Sequence, residues 1–387
     1  MQQPRIARII ERPAPAAAGI GTPQRILVKE VNWLGDAVMS LPALRAIRRT
    51  WPNSHLAVLV KRELAGCFDG ARWIDEVIPY TVAGGMRGFA DTARIVLRIR
   101  RARFDLAILL PNSFSSALWV ALAAVPARAG YVRYRRGPLL THKVFPPREG
   151  AGAHQSQYWL AMIRFTLGID DDARESALDV HEPHRERMRQ WLGAHRLRPG
   201  CPIIALAPGA AFGPAKEWPA SRYSALIDRL GERGAECVLV GTPGERAKSE
   251  EIARAGSPVI VAAGETRIGE LIALLSICDG FVGNDSGCAH VAAALGIPTV
   301  AIFGSTDPGR TAPIGAKAAV TYRAIECSPC LARTCRFGHY DCLRSIGPEE
   351  VVDTLAGLGA FDSLARGRVP GNCGPLIGRS QARVSSS

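Results

Sequence analysis

Short runs of aliphatic and β-branched residues alternate along the chain with segments in which apolar residues recur at helical spacing. The apolar runs predict strands over residues 24–29, 55–60, 76–80, 106–110, 202–207, 236–240, 259–262, 280–282 and 299–303. Helical spacing predicts helices over 221–233, 245–255, 268–277 and 287–295, and a first helix that kinks at Pro42 or begins after Asp36. This alternation is typical of parallel sheets covered by helices on both faces, so we predict an α/β fold with doubly wound sheets.

The pattern also indicates two domains, since 387 residues are long for one. We predict an N-terminal Rossmann-like domain over 25–175 and a C-terminal one over 195–355, joined through a polar, proline-containing stretch within 165–200. Residues 1–24 are rich in Pro, Ala and Arg, and residues 365–387 are rich in Gly, Arg and Ser. Neither end has a hydrophobic period, so both are predicted to be disordered.

Composition bears on where the protein works. Hydrophobic residues make up 47% of the chain, which is enough to fill two cores. No apolar run reaches the roughly 18 residues that a membrane-spanning helix needs. Glu11, Arg12 and several prolines interrupt any signal-peptide core at the N-terminus. We therefore expect a cytoplasmic protein.

The net charge of +13 is concentrated in the first half. Residues 1–180 carry 25 Lys and Arg against 15 Asp and Glu, whereas the rest carries 23 against 20. Six arginines lie in 87–103 against Asp91 alone, and six basic residues without an acidic one lie in 128–148. Such a field favours a nucleic acid, a phosphorylated substrate or an anionic membrane surface, and the alternative is a solvated arginine-rich surface.

Three glycine-containing loops follow predicted strands of the second half, at 207–219, 240–245 and 283–290. In doubly wound sheets, ligands bind at the carboxyl ends of the strands, where loops meet helix N-termini. One such loop alone is more often an ordinary turn. Three of them at one edge of a sheet predict a site for a nucleotide diphosphate.

The residue types in these loops suit a diphosphate and a sugar. Gly209 allows a ligand to approach the backbone closely, and Lys216 supplies a positive charge. Backbone amides near Ser286 and Gly287 are suited to a phosphate, and Asp285 is suited to sugar hydroxyls.

The common nucleotide motifs are missing from the sequence. Neither a P-loop nor a Gly-x-Gly-x-x-Gly after the first strand is present, which argues against an NTPase or a dehydrogenase. The Asp-x-Asp at 170–172 follows a predicted helix end, so we interpret it as a solvated loop and not as a metal chelator. Asp36 follows the first strand, and by default such an aspartate caps the next helix.

Colinear segments of the chain resemble one family. Residues 32–44 (Asn-Trp-Leu-Gly-Asp-Ala-Val-Met-Ser-Leu-Pro-Ala-Leu) look like the opening signature of the bacterial lipopolysaccharide heptosyltransferases, glycosyltransferase family nine. The segments at 110–118, 208–219, 284–290 and 303–308 resemble the branch of that family that adds the second heptose. The likeness runs in order through most of the chain.

The resemblance implies a GT-B fold, in which two Rossmann-like domains face a cleft. It implies inverting transfer, without a catalytic metal or other cofactor, from ADP-L-glycero-D-manno-heptose to the lipid A-core acceptor of the lipopolysaccharide inner core. The roles it implies by position are Asp36 as general base, Lys216 against the diphosphate, Glu245 at the ribose, Asp285 at the heptose, Ser286, Gly287 and Gly209 as further donor-binding residues, and Asn112 and Ser113 at the acceptor. A lipid-anchored acceptor and a basic first half predict peripheral contact with the anionic inner face of the cytoplasmic membrane, and no nucleic acid.

Four thiols lie within sixteen residues, at Cys327, Cys330, Cys335 and Cys342. Their density suits structural zinc, but the irregular spacing leaves zinc, packing thiols and redox chemistry open. Because this segment departs from the best-known family members, a related enzyme that moves another sugar to a core or capsule glycan is the alternative. A zinc-containing nucleic-acid-binding protein is a further alternative. It is remote, because the basic stretches lack interleaved aromatic residues.

Overall fold

The computed structural model describes residues 20–146, 153–171, 176–196 and 198–362. The chain divides into two compact units, the first ending at Asp179 and the second beginning at Val180. Of the extension predicted over 1–24, only residues 20–24 lie within the described residues, and the tail predicted over 365–387 lies wholly outside them.

The first unit is built on a six-stranded parallel sheet. Its strands are β1 (Arg25–Lys29), β2 (His55–Lys61), β3 (Glu76–Tyr80), β4 (Leu106–Leu109), β5 (Ala127–Tyr131) and β6 (His142–Val144). Its helices are α1 (Leu34–Thr50), α2 (Met86–Ala102), α3 (Phe114–Leu122) and α4 (Gln155–Leu167), with a 3-10 helix at Arg62–Phe68. The strand order β3-β2-β1-β4-β5-β6 is that of a Rossmann-like fold.

The apolar runs of the sequence become strands that are buried on both faces. In β1, Ile26, Leu27 and Val28 are at most 1% exposed, as expected where helices cover both sides of a parallel sheet. Helix α1 begins at Leu34 and keeps Pro42 inside it, so it starts before Asp36 and not after it. This early start places Asp36 in the first turn of the helix.

The second unit repeats this architecture. Its strands are β7 (Ile203–Ala207), β8 (Glu236–Leu239), β9 (Ile260–Val261), β10 (Gly280–Asn284), β11 (Thr299–Phe303) and β12 (Ala318–Tyr322). Its helices are α5 (Glu182–His195), α6 (Ala220–Glu232), α7 (Arg246–Ala255), α8 (Ile268–Leu275), α9 (Gly287–Ala294), α10 (Pro308–Thr311), α11 (Asp341–Arg344) and α12 (Pro348–Gly357). The order β12-β11-β10-β7-β8-β9 is the order of the first sheet read in the opposite direction.

The predicted helices of the second half are confirmed to within two residues at each end. Three strands, β5, β6 and β12, were not predicted from the sequence. β5 reads Ala-Arg-Ala-Gly-Tyr, which lacks an aliphatic run, and β6 has only three residues. Of the helices in the described part of the chain, none is long and apolar enough to cross a membrane.

Candidate active site

Three loops of the second unit leave its sheet at one edge. β8, β7 and β10 are neighbouring parallel strands, so the residues that follow them emerge side by side. These residues are 208–219 after β7, 240–245 after β8 and 285–286 after β10. The three loops singled out in the sequence are thus brought to the same edge.

Asn284, the last residue of β10, holds the first loop in place. Its side chain is fully buried, and its Nδ2 donates a hydrogen bond to the carbonyl of Pro208 at 2.8 Å. Its Oδ1 accepts a hydrogen bond from the backbone N–H of Trp218 at 3.0 Å and another from the hydroxyl of Tyr223 at 3.1 Å. Both ends of the 208–219 loop are therefore fixed to the centre of the sheet.

Glu245 joins the second loop to the first. Its Oε2 accepts hydrogen bonds from the backbone N–H and the hydroxyl of Thr242, at 2.7 and 2.9 Å. Its Oε1 lies so close to Gly209 that a β-carbon at that position would stand 1.7 Å from the oxygen. Burial, with the Glu245 charge second, raises the pKa of the Cys288 thiol in the third loop to about 12. Because Glu245 Oε1 approaches Gly209 so closely, the carboxylate can keep its position only if residue 209 is a glycine.

Lys216 and Asp285 form an ion pair at this edge, with the ammonium nitrogen 2.5 Å from Asp285 Oδ2. The hydroxyl of Thr306 donates to the same oxygen at 2.5 Å, and the ammonium stands 4.8 Å from the centre of the Phe212 ring. The Asp285 side chain is 4% exposed and that of Lys216 is 13% exposed. An ammonium has three donors, so Lys216 can serve Asp285 and a phosphate oxygen together.

The N-terminus of α9 begins beside this ion pair. Ser286 is its N-cap residue and Gly287 its first residue, so unpaired backbone amides of the first turn lie next to Asp285. Among the residues that the structure describes, the buried hydroxyl oxygen of Ser305 has no hydrogen-bond partner, and the Ser286 hydroxyl is close enough to the Cys288 thiol to interact with it. Buried polar groups are normally paired, so this cluster suits a ligand that is rich in hydrogen-bond acceptors.

The cysteine-rich segment, residues 327–342, packs against the first loop. The backbone N–H of Ala215 donates to the carbonyl of Arg333 at 3.0 Å. The backbone N–H of Leu331 donates to the carbonyl of Ser305 at 2.7 Å. The segment therefore supports two stretches of backbone that surround the ion pair.

The four thiols of this segment lie near one another, but no arrangement suited to a metal ion is found among the described residues. Cys327 Sγ lies 3.8 Å from His339 Nε2, backbone N–H groups lower the pKa of Cys335, and burial raises that of Cys342. In residues 20–146, 153–171, 176–196 and 198–362, no three Cys, His, Asp or Glu side chains are arranged to hold a metal ion. The structural-zinc interpretation gains no support from this arrangement.

In the first unit, Asp36 lies in the first turn of α1, directly after the central strand β1, and is half-buried. The N-cap residue of α1 is Trp33, whose side chain makes no capping hydrogen bond. Asp36 is therefore not the N-cap residue itself but stands at the third position of the helix. Its charge lies where the dipole of the helix stabilises an anion.

Two buried charged residues, Lys29 and Glu30, lie at the end of β1, and Glu30 is near enough to Asp36 to feel its charge. Glu30 is 0% exposed and Lys29 is 2% exposed. Burial raises the pKa of Glu30 to about 7 and lowers that of Lys29 to about 7. Glu30 Oε1 accepts a hydrogen bond from the backbone N–H of Val31 at 2.8 Å and lies 3.0 Å from the Ser40 hydroxyl, whose proton is shared with the carbonyl of Ala37 at 2.8 Å.

Asn112 and Ser113 follow β4, which neighbours β1, so they lie at the same edge of the first sheet as Asp36. Asn112 Nδ2 donates to the hydroxyl of Tyr158 at 2.8 Å, and its Oδ1 accepts from Arg136 at 3.3 Å. Ser113 is the N-cap of α3, and its hydroxyl oxygen accepts a backbone N–H of the first turn. Ser113 thus has a structural role in addition to any contact with a ligand.

Sequence reasoning missed Asn284, Thr306 and Glu30 as members of these sites. Asn284 and Thr306 lie in the segments 284–290 and 303–308, which were recognised as motifs. An asparagine or a threonine in such a segment does not indicate which atoms its side chain bonds. For Glu30 the available signal was its position directly after a central apolar strand. Such a position is buried in a doubly wound sheet, and a charged residue is unusual there.

A family model for glycosyltransferase family 9 (heptosyltransferase) matches residues 92–341. The chain is 29% identical over 349 residues to lipopolysaccharide heptosyltransferase 2 of Escherichia coli (strain K12), a match that covers 86% of this chain and 98% of that protein. The structure of E. coli ADP-heptose lps heptosyltransferase II superposes with a TM-score of 0.74 and 27% identity, covering 89% of this chain and 99% of that one. E. coli heptosyltransferase WaaC with ADP superposes with a TM-score of 0.66 over 87% of this chain and 100% of that one, and its 19% identity shows a shared fold alone.

Proposed function

This chain belongs to glycosyltransferase family 9, the heptosyltransferases, and on that premise we propose that it transfers a heptose from ADP-L-glycero-D-manno-heptose to the lipopolysaccharide inner core. It is an α/β protein with two Rossmann-like domains, and its solved neighbours are GT-B heptosyltransferases. The observation that carries the proposal is the edge of the second sheet, where a carboxylate, a buried ammonium and a helix N-terminus adjoin one another.

The donor is bound by this edge. Glu245 accepts the ribose hydroxyls, and Gly209 leaves room for its carboxylate and for the nucleoside. Lys216 and the amides at Ser286 and Gly287 offset the diphosphate charge. Asp285 fixes the Lys216 ammonium and accepts hydrogen bonds from the heptose hydroxyls.

The acceptor is activated by the first unit. Asp36 takes the proton from the attacking hydroxyl, and the electron pair of that oxygen forms the new bond to the anomeric carbon. The bond from the anomeric carbon to the diphosphate oxygen breaks, and ADP leaves with its electron pair. Attack from the face opposite the leaving group inverts the anomeric configuration. Asn112 and Ser113, at the same edge as Asp36, supply polar contacts to the acceptor sugar.

The transfer needs no metal ion in this proposal. The charge that develops on the leaving diphosphate is opposed by the Lys216 ammonium and by the N-terminus of α9. The buried hydroxyl of Ser305, which has no partner among the described residues, adds a donor for its oxygens. Together these groups replace the usual divalent cation.

A lipid-anchored acceptor requires the enzyme to work at a membrane, and we place the contact at α2 and α3, at the inner face of the cytoplasmic membrane. These helices pack on each other and expose Phe89 (80%), Leu97 (49%), Phe114 (46%) and Leu122 (54%). The arginines of α2 are Arg87, Arg94, Arg98, Arg100 and Arg101. Exposed apolar side chains among arginines suit an anionic lipid surface.

The test is consumption of nucleotide sugars by the whole chain in EDTA, with a heptose-deficient core acceptor. We expect ADP-heptose to be consumed and UDP- and GDP-sugars to be left intact. Equal use of all three donors, or a strict requirement for a divalent cation, would contradict the assignment of the loops.

The base is tested by Asp36→Asn, which keeps the size of the side chain but cannot take the proton. We expect turnover to fall roughly 10²–10⁴-fold, with ADP affinity unchanged because the donor loops belong to the other unit. Calorimetric titration with ADP serves as the control for folding. A variant that keeps more than about a tenth of the wild-type turnover would remove Asp36 from the mechanism.

A further inference from the structure

Glu30 is a buried carboxyl group that the mechanism above does not use. It directly follows β1 and is fully buried, with Oε1 bonded to Val31 and Ser40. Among the described residues, its equally buried Oε2 has no hydrogen-bond partner. An unpaired carboxyl oxygen in the interior is unfavourable for folding, so stability does not explain this residue.

Ser40 connects Glu30 to the proposed base. Ser40 and Asp36 lie four residues apart on α1 and therefore on the same face of the helix. The Ser40 hydroxyl lies 3.0 Å from Glu30 Oε1 and 2.8 Å from the carbonyl of Ala37, and it shares its one proton between these two oxygens. The Glu30 carboxyl therefore lies against the face that carries Asp36. Burial is the main cause of the raised pKa of Glu30, and the negative charge of Asp36 adds a smaller rise, as expected for two neighbouring carboxyl groups.

The other charged and titratable groups around Glu30 come from three further elements. On its own strand, Lys29 donates from Nζ to the Glu30 carbonyl, and its ammonium stands 4.8 Å from the centre of the Tyr80 ring of β3. Lys61 of β2 lowers the pKa of Lys29 further. Burial, with the Glu30 charge second, raises the pKa of Cys67 in the 3-10 helix above its ordinary range. Asp36 is thus the acidic neighbour through which Glu30 can act on the reaction.

We propose that Glu30 is a positioning residue for the transfer, a buried second carboxyl held by Ser40 whose charge sets how strongly Asp36 takes the proton of the acceptor hydroxyl. The inference rests on the proposed function, since it takes Asp36 as the base. An ionised Glu30 repels the charge of Asp36 and makes proton uptake by Asp36 more favourable, whereas a neutral Glu30 does not. The proton itself moves only from the acceptor oxygen to Asp36.

The charge on Glu30 changes within the working range of the enzyme. Burial raises its pKa from 4.5 to about 7, so it is neutral well below that pH and ionised well above it. The turnover of the wild type should therefore contain a step near pH 7, with the faster rate on the alkaline side. The Asp36 charge affects the Glu30 pKa less than burial does, and the coupling is the same in both directions. Since Brønsted behaviour passes only part of a change in basicity to the rate, we expect a step of roughly two- to threefold.

The experiment measures turnover against pH for the whole chain at saturating ADP-heptose and acceptor. In Glu30→Gln the amide oxygen keeps the hydrogen bonds from Val31 and Ser40, while the charge is lost. We expect this variant to lack the step near pH 7 and to run at the acid-side rate throughout, with ADP affinity unchanged.

A second variant, Ser40→Ala, keeps the carboxyl but removes the bond that favours its ionised form. We expect the step to survive and to move to higher pH, a change that a merely structural role of Glu30 would not produce. If Glu30→Gln keeps the wild-type step, or if it is as inactive as Asp36→Asn at every pH, the proposal is overturned. Failure of the base assignment is seen separately, as turnover that survives in Asp36→Asn.

Discussion

Gly209→Ala is the most direct perturbation of the proposed donor site, because it adds one carbon atom where Glu245 approaches the backbone closely. The new β-carbon would lie 1.7 Å from Glu245 Oε1, 2.2 Å from its Cδ and 2.8 Å from its Cγ. These distances are far below van der Waals contact, so the carboxylate must leave its position. Glu245 is only half-buried, which allows it to turn toward solvent while the fold stays intact.

The expected magnitude follows from the bonds that this movement breaks. Glu245 loses its hydrogen bonds from the N–H (2.7 Å) and hydroxyl (2.9 Å) of Thr242. A bond to a charged group contributes about 1.5–3 kcal/mol when buried, and partial exposure reduces this, so we expect a total stability loss of about 1–3 kcal/mol. Withdrawing the carboxylate from the ribose hydroxyls should weaken ADP binding roughly tenfold to a hundredfold.

The assay compares urea unfolding and calorimetric ADP titration for the wild type and four variants, the first of which is Gly209→Ala. The matched control is Gly244→Ala, one residue from Glu245, where a β-carbon meets only Thr242 Oγ1 at 3.9 Å. The other two variants are Glu245→Ala, which lacks all three clashing atoms, and Gly209→Ala in that background. If Gly209→Ala destabilises that background as much as the wild type, or behaves like the Gly244 control, the argument from the Glu245 carboxylate is refuted.

Three further variants test other parts of the structure. Asn284→Ala removes the bonds to Pro208 and Trp218 and should lower the free energy of unfolding by about 2–4 kcal/mol, with weaker ADP binding; an unchanged urea midpoint would contradict this. Because the pKa of Glu30 is raised in the folded state, its favourable contribution to the free energy of unfolding is lost as pH rises from about 4.5 to about 7. The free energy of unfolding of Glu30→Gln should therefore exceed that of the wild type by up to about 3 kcal/mol above pH 7 and should equal it below pH 4.5. The double variant Phe89→Ser, Leu97→Ser should co-sediment less with anionic vesicles although its charge is unchanged, and salt should weaken vesicle binding by the wild type. If neither the double substitution nor salt weakens vesicle binding, the membrane contact lies elsewhere.

The edge of the second sheet could be predicted because it depends on rules that sequence expresses directly. β7 is a continuous apolar run and β10 carries Phe281 and Val282 between glycines, and the strands of parallel sheets end at the edge where ligands bind. The pairing of Lys216 with Asp285 could not be predicted in the same way. The two residues belong to different loops, and which of the nearby polar groups Lys216 meets depends on the path of the 208–219 loop, which Asn284 fixes.

The basic stretch at 128–148 shows where counting charges fails. Arg136 is fully buried, and its guanidinium donates to the carbonyls of Tyr131 and Pro111 and to Asn112. Arg128 donates to the carbonyl of Leu139 at 2.6 Å. These arginines connect backbone segments within the first unit, so they contribute less to a surface field than their number suggests. The exposed arginines of α2 are the better basis for a membrane contact.

The burial of Lys29 and Glu30 could not be predicted from the sequence either, for a physical reason. Adjacent charged residues ordinarily mark the exposed end of a strand, since burial of either charge is unfavourable. β1 is a central strand with β2 and β4 on either side, and the turn into α1 begins at once, so its last residue and the one after it stay covered. A sequence that retains two ionisable groups there accepts a cost in stability, and residues that break a local rule in this way are concentrated at functional sites. The proximity of Asp36 is therefore the reason to look for the role of Glu30 in the chemistry and not in the fold.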